Sequence, residues 1–366
     1  MVTQDGVSGG LVLGIVTTRD LRFKEHDSDL KVGDVMTKRE RLIFGEFDSV
    51  TKEGAIDLME RHRIEKLPLL DKHGNIKGLI TSKDIEPRAQ DESTIFRSLD
   101  SKGKLMVGAA IGVKDGDLDR AERLAEAGCD VLVIDVAHGH SDLAVDMTKA
   151  VRQKLPKVDI IAGNVATAAG VVALAKAGAD CIKVGVGPGS ICTTRIVTGC
   201  GVPQLSAVAE CSLAAQEYNP ALTIIADGGI SSSGDIVKAL AAGADAVMLG
   251  NMLAGTDESP GETLYKNGRK VKVIRGMAGI GSVASKRERE FGRSSDIFDV
   301  VPEGVEGVVN YRGPVEAVLR NLCGGIASGL SYCGVRRISD LPAAAEFVRI
   351  TPSAQRESGA HDIAII

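Results

Sequence analysis

The sequence predicts an α/β protein built on a parallel sheet of the barrel type, and three observations lead to that fold class. Six apolar runs that lack alternation, as expected for strands covered on both faces, are separated by segments with helical character. The chain has 43 glycines but only 3% aromatic residues, which suits tight strand–helix turns and a barrel interior of small aliphatic side chains. Polar residues or glycines stand at the carboxyl ends of the predicted strands, where such a barrel carries its chemistry: Asp135, Asn164, Gly187, Asp227 and Gly250.

Three of the six strands follow one repeated pattern, in which an alanine-rich helical run ends in glycine and an apolar run follows. The glycines of this pattern are Gly128, Gly178 and Gly243, and glycine suits the left-handed position that ends a helix. Strands that alternate with helices in this way predict a parallel sheet. The six predicted strands lie at 105–112, 131–137, 158–165, 181–187, 223–230 and 246–251.

Residues 1–100 follow a different pattern, because 11–21 and 76–86 are two copies of one unit. In each copy a β-rich run leads into Thr-x-x-Asp at the start of a helix, and the two pairs are Thr17/Asp20 and Thr81/Asp84. The region resembles a pair of CBS domains, in which such residues often meet the ribose of an adenine or guanine nucleotide. The alternative, that they only cap their helices, stays open.

The two CBS-like copies differ in completeness. Only the tail of the first copy is present, at 1–30, whereas the second is expected over 31–92. The second copy is predicted to contain a helix near 52–63 and a strand at Lys66–Leu70. The barrel domain is then expected over 93–366.

Charge and composition argue against several classes of protein. The net charge of −5 is spread along the chain, and its one dense charged run, 285–293, mixes both signs, so we expect no nucleic acid partner. No apolar stretch approaches the length of a membrane span, and no signal pattern follows Met1, so we expect no membrane partner. The seven cysteines include no C-x-x-C, so we expect reduced thiols in the cytoplasm rather than a disulfide frame or a zinc site.

The glycine-rich loop at 185–194 holds the cysteine with the strongest case for chemistry. Its glycines let the backbone come close to a ligand, and consecutive amides there can bind an anion. Cys192 is placed at the barrel mouth to attack an electrophilic carbon. For Cys200 both alternatives stay open. Five cysteines are instead expected to be buried small hydrophobes: Cys129, Cys181, Cys211, Cys323 and Cys333.

A longer stretch around this loop resembles a known family. Residues 185–208, GVGPGSICTTRIVTGCGVPQLSAV, are similar to the signature of the IMP dehydrogenase / GMP reductase family, and the resemblance covers about 100–366. It continues in IADGGI, RGM, VPEGVEG and RESGAH, at 225–230, 275–277, 301–307 and 356–361. The resemblance implies an enzyme that acts on a purine nucleoside monophosphate.

The family resemblance also implies an architecture. Its members carry a (β/α)8 TIM barrel with an inserted CBS module, and two strand–helix units precede that insert. The fold expected here is therefore a TIM barrel lacking its first two strand–helix units, with a partial first CBS copy. We expect the sequence to be truncated at its N-terminus, with Met1 an internal residue of a longer chain. A protein that began at Met1 is expected to aggregate, to be inactive, or to act as a nucleotide sensor.

Roles for individual residues follow from the same resemblance. Cys192 would add to C2 of the purine, and Thr194 would assist in acid–base chemistry. The phosphate and ribose would be held by Ser190, Asp227, Gly228, Gly229, Gly250 and Asn251. The purine edge would meet Gly276, Met277 and Glu303. The nicotinamide cofactor, NAD or NADP, would be bound by Asp135, Asn164, Gly185 and Gly187.

A monovalent cation site is implied as well. The carbonyl groups of Gly187, Gly189 and Cys192 would bind K⁺. In the family, residues from the C-terminal segment of a neighbouring subunit, here 351–366, complete that site, and they correspond to Glu357, Ser358 and Gly359. A homotetramer is expected from the family, and the shared cation site requires at least neighbouring subunits.

Two reactions begin with attack at C2. A dehydrogenase oxidises IMP to XMP with NAD, and an Arg–Tyr pair on a mobile flap, here 278–303, activates the water. A reductase converts GMP to IMP with NADPH and releases ammonia. In this flap Arg289 aligns with the arginine of the pair, but Glu290 stands at the position of the tyrosine, so the tyrosine is replaced.

Other segments divide between the two branches. Ile274 and the run 135–137 are reductase-like, whereas 196–199, 301–307 and the CBS insert are dehydrogenase-like. We predict an NAD-dependent IMP dehydrogenase of guanine nucleotide biosynthesis, with GMP reductase as the alternative.

Overall fold

The computed structural model describes residues 1–21, 30–82, 98–276, 279 and 303–360. Contacts divide the chain into two compact units, Met1–Arg97 and Ser98–Ile366. Most of the predicted flap lies outside the described ranges. Four predicted site residues also lie outside them: Asp84, Met277, Arg289 and Glu290.

The first unit contains two three-stranded sheets within its described residues. In one, β2 pairs antiparallel with both β1 and β3; in the other, β5 pairs parallel with β4 and antiparallel with β6. The strands are β1 Val2–Thr3, β2 Val12–Ile15, β3 Thr37–Lys38, β4 Gly45–Glu46, β5 Lys66–Leu70 and β6 Ile76–Thr81. The helices are α1 Thr18–Leu21, α2 Val32–Val35 and α3 Lys52–His62, with a 3-10 turn at Arg39–Arg41. The predicted helix near 52–63 and strand at Lys66–Leu70 are confirmed.

The second unit is built on a six-stranded sheet in which each strand pairs parallel with the next strand of the sequence. Its strands are β7 Gly108–Ile111, β8 Val131–Asp135, β9 Asp159–Val165, β10 Cys181–Val184, β11 Thr223–Asp227 and β12 Ala246–Met248. The order β7 to β12 confirms the predicted parallel α/β sheet, and it is that of a half-barrel. Among the described residues, β7 and β12 form its two edges.

Helices follow the strands of this sheet and cover it. They are α4 Asp117–Glu126, α5 Asp142–Lys154, α6 Ala168–Lys176, α7 Thr194–Thr198, α8 Gln204–Tyr218, α9 Ser233–Ala241 and α10 Asn251–Ala254. The core between helices and sheet consists of fully buried aliphatic residues, among them Leu132, Ile134, Ile160, Leu174, Ile182 and Ile224. Strands covered on both faces were expected, and β10 is buried at all four of its positions. Burial alternates along β8 and β11, however, and β7 and β12 at the edges of the described sheet are partly exposed.

The predicted glycine helix ends are confirmed. Gly128, Gly178 and Gly243 have φ angles of 94°, 105° and 100°, a left-handed conformation that favours glycine. A Cβ atom on Gly243 would lie 2.1 Å from the Ser212 hydroxyl oxygen. Each glycine therefore lets the chain turn from a helix into the next strand.

The last part of the second unit adds an antiparallel sheet and further helices. The strands are β13 Thr263–Lys266, β14 Arg269–Arg275 and β15 Glu306–Asn310. The helices are α11 Val315–Tyr332, α12 Leu341–Ala344 and α13 Pro352–Glu357, with a 3-10 turn at Ile338–Asp340. The sequence analysis did not predict this sheet, although charged and apolar residues alternate in β14. None of the helices that the structure describes is both long and apolar enough to cross a membrane.

A buried lysine in this sheet binds the backbone of the segment that precedes β13. The side chain of Lys272 in β14 donates to the carbonyl oxygens of Thr256, at 2.7 Å, Asp257, at 3.3 Å, and Ser259. The residue is only 3% exposed, so the three carbonyls replace the water that a lysine ammonium would otherwise bind.

Replacement of Lys272 by methionine should lower the free energy of unfolding by about 3 kcal/mol, because buried carbonyl groups lose their donor. Urea denaturation measures the change. The matched control is Lys270→Met on the same strand, whose ammonium is exposed and lies 3.5 Å from the centroid of the Tyr311 ring. We expect that control to lose no more than about 1 kcal/mol. Equal losses in the two variants would contradict the role of the Lys272 bonds.

Candidate active site

A cleft of about 340 Å³ opens in the second unit, around the carboxyl ends of its strands. It gathers residues that are far apart in the sequence, from the ends of β9, β10 and β11 and from the segment that precedes β15. Ten of the predicted site residues line it: Asn164, Gly185, Gly187, Gly189, Cys192, Thr194, Asp227, Gly228, Gly276 and Glu303. The remaining lining residues are Ala137, Val186, Pro188 and Ile191.

The glycine-rich loop reaches this cleft because its backbone adopts conformations that favour glycine. Gly185 and Gly187 have φ angles of 152° and 78°. A Cβ atom on Gly185 would lie 2.1 Å from the carbonyl oxygen of Asp227. The loop therefore passes directly over the end of β11, and the close approach that Gly185 permits is to the protein's own backbone. The sequence prediction of a close approach to a ligand stays a prediction.

Backbone hydrogen bonds attach the loop to the segment that carries Glu303. The amide of Thr193 donates to the carbonyl of Glu303 at 2.8 Å, and the amide of Val305 donates to the carbonyl of Ile191 at 3.0 Å. Within the loop, the amide of Cys192 donates to the carbonyl of Gly189 at 3.1 Å. These bonds bring the side chain of Glu303 beside the cysteine.

Cys192, Thr194 and Glu303 form a chain of hydrogen bonds. The thiol of Cys192 donates to the hydroxyl oxygen of Thr194 at 3.1 Å. That hydroxyl donates to Oε2 of Glu303 at 2.8 Å. A proton that leaves the thiol can therefore pass through the threonine to a carboxylate, which is the arrangement that activates a nucleophile.

The other cysteines have different surroundings. Burial raises the pKa of Cys181 to about 11 and that of Cys211 to about 12, so both remain protonated thiols at neutral pH. The prediction of buried cysteines is confirmed for these two and is wrong for Cys323, which is exposed. Cys323 follows the buried Leu322 on α11, and one residue along a helix turns the side chain away from the packed face. Cys129 and Cys333 are half-buried, and Cys200 is exposed.

An ionic network lies beneath the cleft. The ammonium group of Lys183 donates to Oδ1 of Asp135 at 2.9 Å and to Oδ2 of Asp227 at 2.6 Å. The side-chain amide of Asn164 donates to the same Oδ2 of Asp227, at 3.0 Å, and to the carbonyl of Gly185, at 2.8 Å. The sequence analysis missed Lys183. Its signal was a single lysine inside an apolar run that was expected to be covered on both faces.

The structure places the remaining predicted residues outside the lining of this cleft. Asp135 holds Lys183 from the end of β8, and Ser190 is exposed. Gly229 lines a neighbouring hollow together with Gly228, and Gly250 and Asn251 stand at the start of α10. Towards the other end of the chain lie the three residues predicted for the cation site: Glu357 ends α13, and Ser358 and Gly359 follow it.

The first unit has a cleft of its own, of about 420 Å³. Its lining includes Thr17 and Asp20 together with the cationic side chains of Arg19, Arg41, Arg63 and Lys66. The amide and the hydroxyl of Thr17 donate to Oδ2 of Asp20 at 2.7 and 2.8 Å, and these bonds hold the pKa of Asp20 below its ordinary value. This is the bonding of a helix cap, which was one of the two alternatives. The second predicted pair, Thr81 and Asp84, does not allow the same comparison. Thr81 is the last residue of β6, and Asp84 lies outside the described residues.

Comparison with known proteins gives a consistent family. The model of the IMP dehydrogenase / GMP reductase domain matches residues 38–361. The inosine-5'-monophosphate dehydrogenase of Aquifex aeolicus is 51% identical over 355 residues, which are 97% of this chain and 71% of the relative. The GMP reductase of Leishmania donovani is 51% identical over 366 residues, which are 99% of this chain and 73% of the relative.

A solved structure agrees with these sequences. A GMP reductase variant from Trypanosoma brucei, in complex with guanosine 5'-monophosphate, matches with a TM-score of 0.85 and 48% identity. The match covers 96% of this chain and 71% of that one. Relatives with both activities thus stand at similar identity, so identity alone does not separate the two reactions.

Proposed function

The chain belongs to the IMP dehydrogenase / GMP reductase family of oxidoreductases, and we propose that it attacks C2 of a purine nucleoside monophosphate with the thiol of Cys192. The observation that carries this proposal is the chain of hydrogen bonds from Cys192 through Thr194 to Glu303. The thiol proton moves through the threonine hydroxyl to the carboxylate, and the thiolate forms a bond to C2 while the C2–N3 double bond of the purine opens and its electron pair passes to N3.

Groups around the relay fit the sugar and phosphate of such a nucleotide. Asp227 lines the cleft, and its Oδ1 accepts no hydrogen bond from the residues that the structure describes, so it can accept one from a ribose hydroxyl. Gly228 and Gly229 both have left-handed backbones, with φ angles of 92° and 78°, which leave room for a phosphate close to the main chain. The resemblance adds Ser190, Gly250 and Asn251 to the phosphate site.

The nicotinamide cofactor has suitable partners as well. Oδ1 of Asn164 is buried and has no partner among the described residues, so it can accept a hydrogen bond from an amide or a hydroxyl of the cofactor. Asp135 is half exposed and offers a carboxylate to the ribose of the cofactor. When bound, NAD or NADP accepts or supplies the hydride that is exchanged at C2.

The first candidate reaction is the NAD-dependent oxidation of IMP to XMP, with water releasing the product from Cys192. The dehydrogenase-like segments 196–199 and 301–307 support it. The second candidate is the reduction of GMP to IMP with NADPH. Three features favour it: Glu290 in place of the flap tyrosine, Ile274 before Arg275, and the run 135–137. The CBS-like insert does not decide between them, because the GMP reductase of Leishmania donovani matches over 99% of this chain.

A pair of assays separates these reactions. The protein is incubated with IMP and NAD in one mixture and with GMP and NADPH in the other, while the absorbance of the reduced cofactor is recorded. Appearance of NADH in the first mixture alone supports the dehydrogenase, and loss of NADPH in the second alone supports the reductase. If the absorbance changes in neither mixture and Cys192 does not react with a purine that is electrophilic at C2, the proposal is overturned and a nucleotide sensor is favoured.

We also propose a cation site at the glycine-rich loop of the second unit and, separately, a nucleotide ligand for the first unit. The carbonyls of Gly187, Gly189 and Cys192 would bind K⁺ together with the 357–359 segment of a neighbouring subunit in a homotetramer.

The cleft of the first unit would take an adenine or guanine nucleotide, since its arginines and Lys66 suit phosphate groups. Calorimetric titration of the protein and of its Arg63→Ala variant with ATP and GTP tests this assignment. We expect the unmodified protein to bind one of these nucleotides and the variant to bind it more weakly.

A further inference from the structure

One buried ammonium group joins the two carboxylates that the proposed function assigns to different ligands. Lys183 bonds Asp135, the proposed cofactor carboxylate, and Asp227, the proposed nucleotide carboxylate. Only 3% of the lysine side chain is exposed, against 52% for Asp135 and 24% for Asp227. The cation is therefore covered, while both anions keep access to ligands.

The register of the sheet explains how one lysine reaches both. Lys183 of β10 and Asp135 of β8 are both opposite Gly163 of the strand between them, β9. A Cβ atom on Gly163 would lie 2.7 Å from Cβ of Lys183. The glycine thus leaves the lysine room to cross β9 toward β8. On its other side, β10 is directly bonded to β11, which ends at Asp227.

The bonds from Lys183 determine which carboxylate oxygens remain for ligands. Oδ2 of Asp227 accepts from both Lys183 and Asn164, so this oxygen is fully engaged by the protein. Oδ1 of Asp227 and Oδ2 of Asp135 accept no bond from the described residues. A buried ammonium is stable only while it is paired, so the two carboxylates are held in fixed orientations around it.

We propose that Lys183 is a positioning residue that orients Asp227 toward the ribose of the nucleotide and Asp135 toward the ribose of the cofactor, and so couples the two subsites. This inference rests on the proposed function of those two carboxylates. Lys183 itself touches neither the reacting carbon nor the thiol in the proposed reaction. Its removal should therefore weaken the binding of both ligands while the chemistry at Cys192 suffers less.

The test uses Lys183→Met in the full chain, with titration calorimetry of IMP and GMP and with steady-state kinetics. We expect the Kd of the nucleotide and the KM values of nucleotide and cofactor each to rise at least about tenfold, because both carboxylates lose a charge-assisted bond. We expect a smaller fall in kcat. Lys183→Arg keeps donors for both carboxylates and should restore most of the affinity.

A matched control separates positioning from stability. Lys272→Met also removes a buried ammonium, but that ammonium bonds only backbone carbonyls. It should lower the free energy of unfolding without raising either KM. If Lys183→Met changes stability alone, as the control does, Lys183 is structural and the proposal is overturned.

A second pair of variants covers the case in which Lys183→Met fails to fold. The double variant Lys183→Met/Asp135→Asn removes one charge of each sign and is compared with Asp135→Asn, which keeps Lys183. The double variant should bind the nucleotide about tenfold more weakly than the single one, because only the double variant releases Asp227. Equal affinities would overturn the proposal. If the unmodified chain binds neither IMP nor GMP, the proposed function fails first and this inference fails with it.

Discussion

Replacement of Cys192 by alanine should lower kcat by about 10⁴-fold or more, because the proposed reaction loses the atom that bonds to C2. Nucleotide affinity should change little, since Asp227, Asn164 and the glycine loop make their contacts independently of the thiol. Calorimetry with IMP and GMP, beside the two absorbance assays, measures the two quantities separately. A large loss of turnover with retained binding is the expected result.

The control for this variant is Cys200→Ala in the same segment. Cys200 is exposed, and its thiol bonds only the carbonyl of Thr198, at 3.8 Å, among the described residues. It should keep full turnover. Mass spectrometry of the protein quenched during turnover should find the nucleotide attached to Cys192 and to no other cysteine. Turnover by Cys192→Ala near the level of the unmodified protein would mean that no covalent step occurs.

The parallel sheet could be predicted from the sequence because apolar runs that alternate with helical segments leave a simple signal. All six apolar runs contain a strand, and in five of them the strand ends before the run does, whereas β9 ends together with its run at Val165. The run at 223–230 is an example, since β11 ends at Asp227. Gly228, Gly229 and Ile230 continue the apolar character into the loop, where glycine bends the chain away from the sheet.

The Lys183 network could not be predicted in the same way. Lys183 and Asp135 are 48 residues apart, and only the register of three strands shows that both stand opposite Gly163. Sequence reasoning placed Asp135 and Asp227 at strand ends and so at one mouth of the barrel. It had no means to find the cation between them, because a lone lysine in a strand is also compatible with an exposed edge.

Glu303 shows the same limit from the catalytic side. The resemblance assigned it to the purine edge, whereas the structure adds a bond to Thr194, from a residue 109 positions away. The link depends on the backbone bonds that join 191–193 to 303–305. No local pattern reports such a pairing, since each of these bonds connects main-chain groups that every residue type carries.

Glu303→Gln should lower kcat by about 10²- to 10³-fold in whichever assay shows turnover, because an amide cannot take up the proton that leaves the thiol. Thr194→Val should cause a loss of similar size, since it removes the hydroxyl between the thiol and the carboxylate. Thr194→Ser keeps that hydroxyl and serves as the matched control, which we expect within about fivefold of the unmodified rate.

The decisive comparison is the double variant Thr194→Val/Glu303→Gln. Residues that act as one unit have non-additive effects, so the double variant should lose no more activity than the more severe single variant. If the two losses instead multiply, Thr194 and Glu303 act independently and the proton does not travel through both. The rate at which Cys192 is trapped by a purine that is electrophilic at C2 should fall in parallel with kcat, because activation of the thiol limits both processes. A trapping rate that stays at the unmodified level while kcat falls would place Glu303 in a later step, where the product leaves Cys192, and not in the activation of the nucleophile.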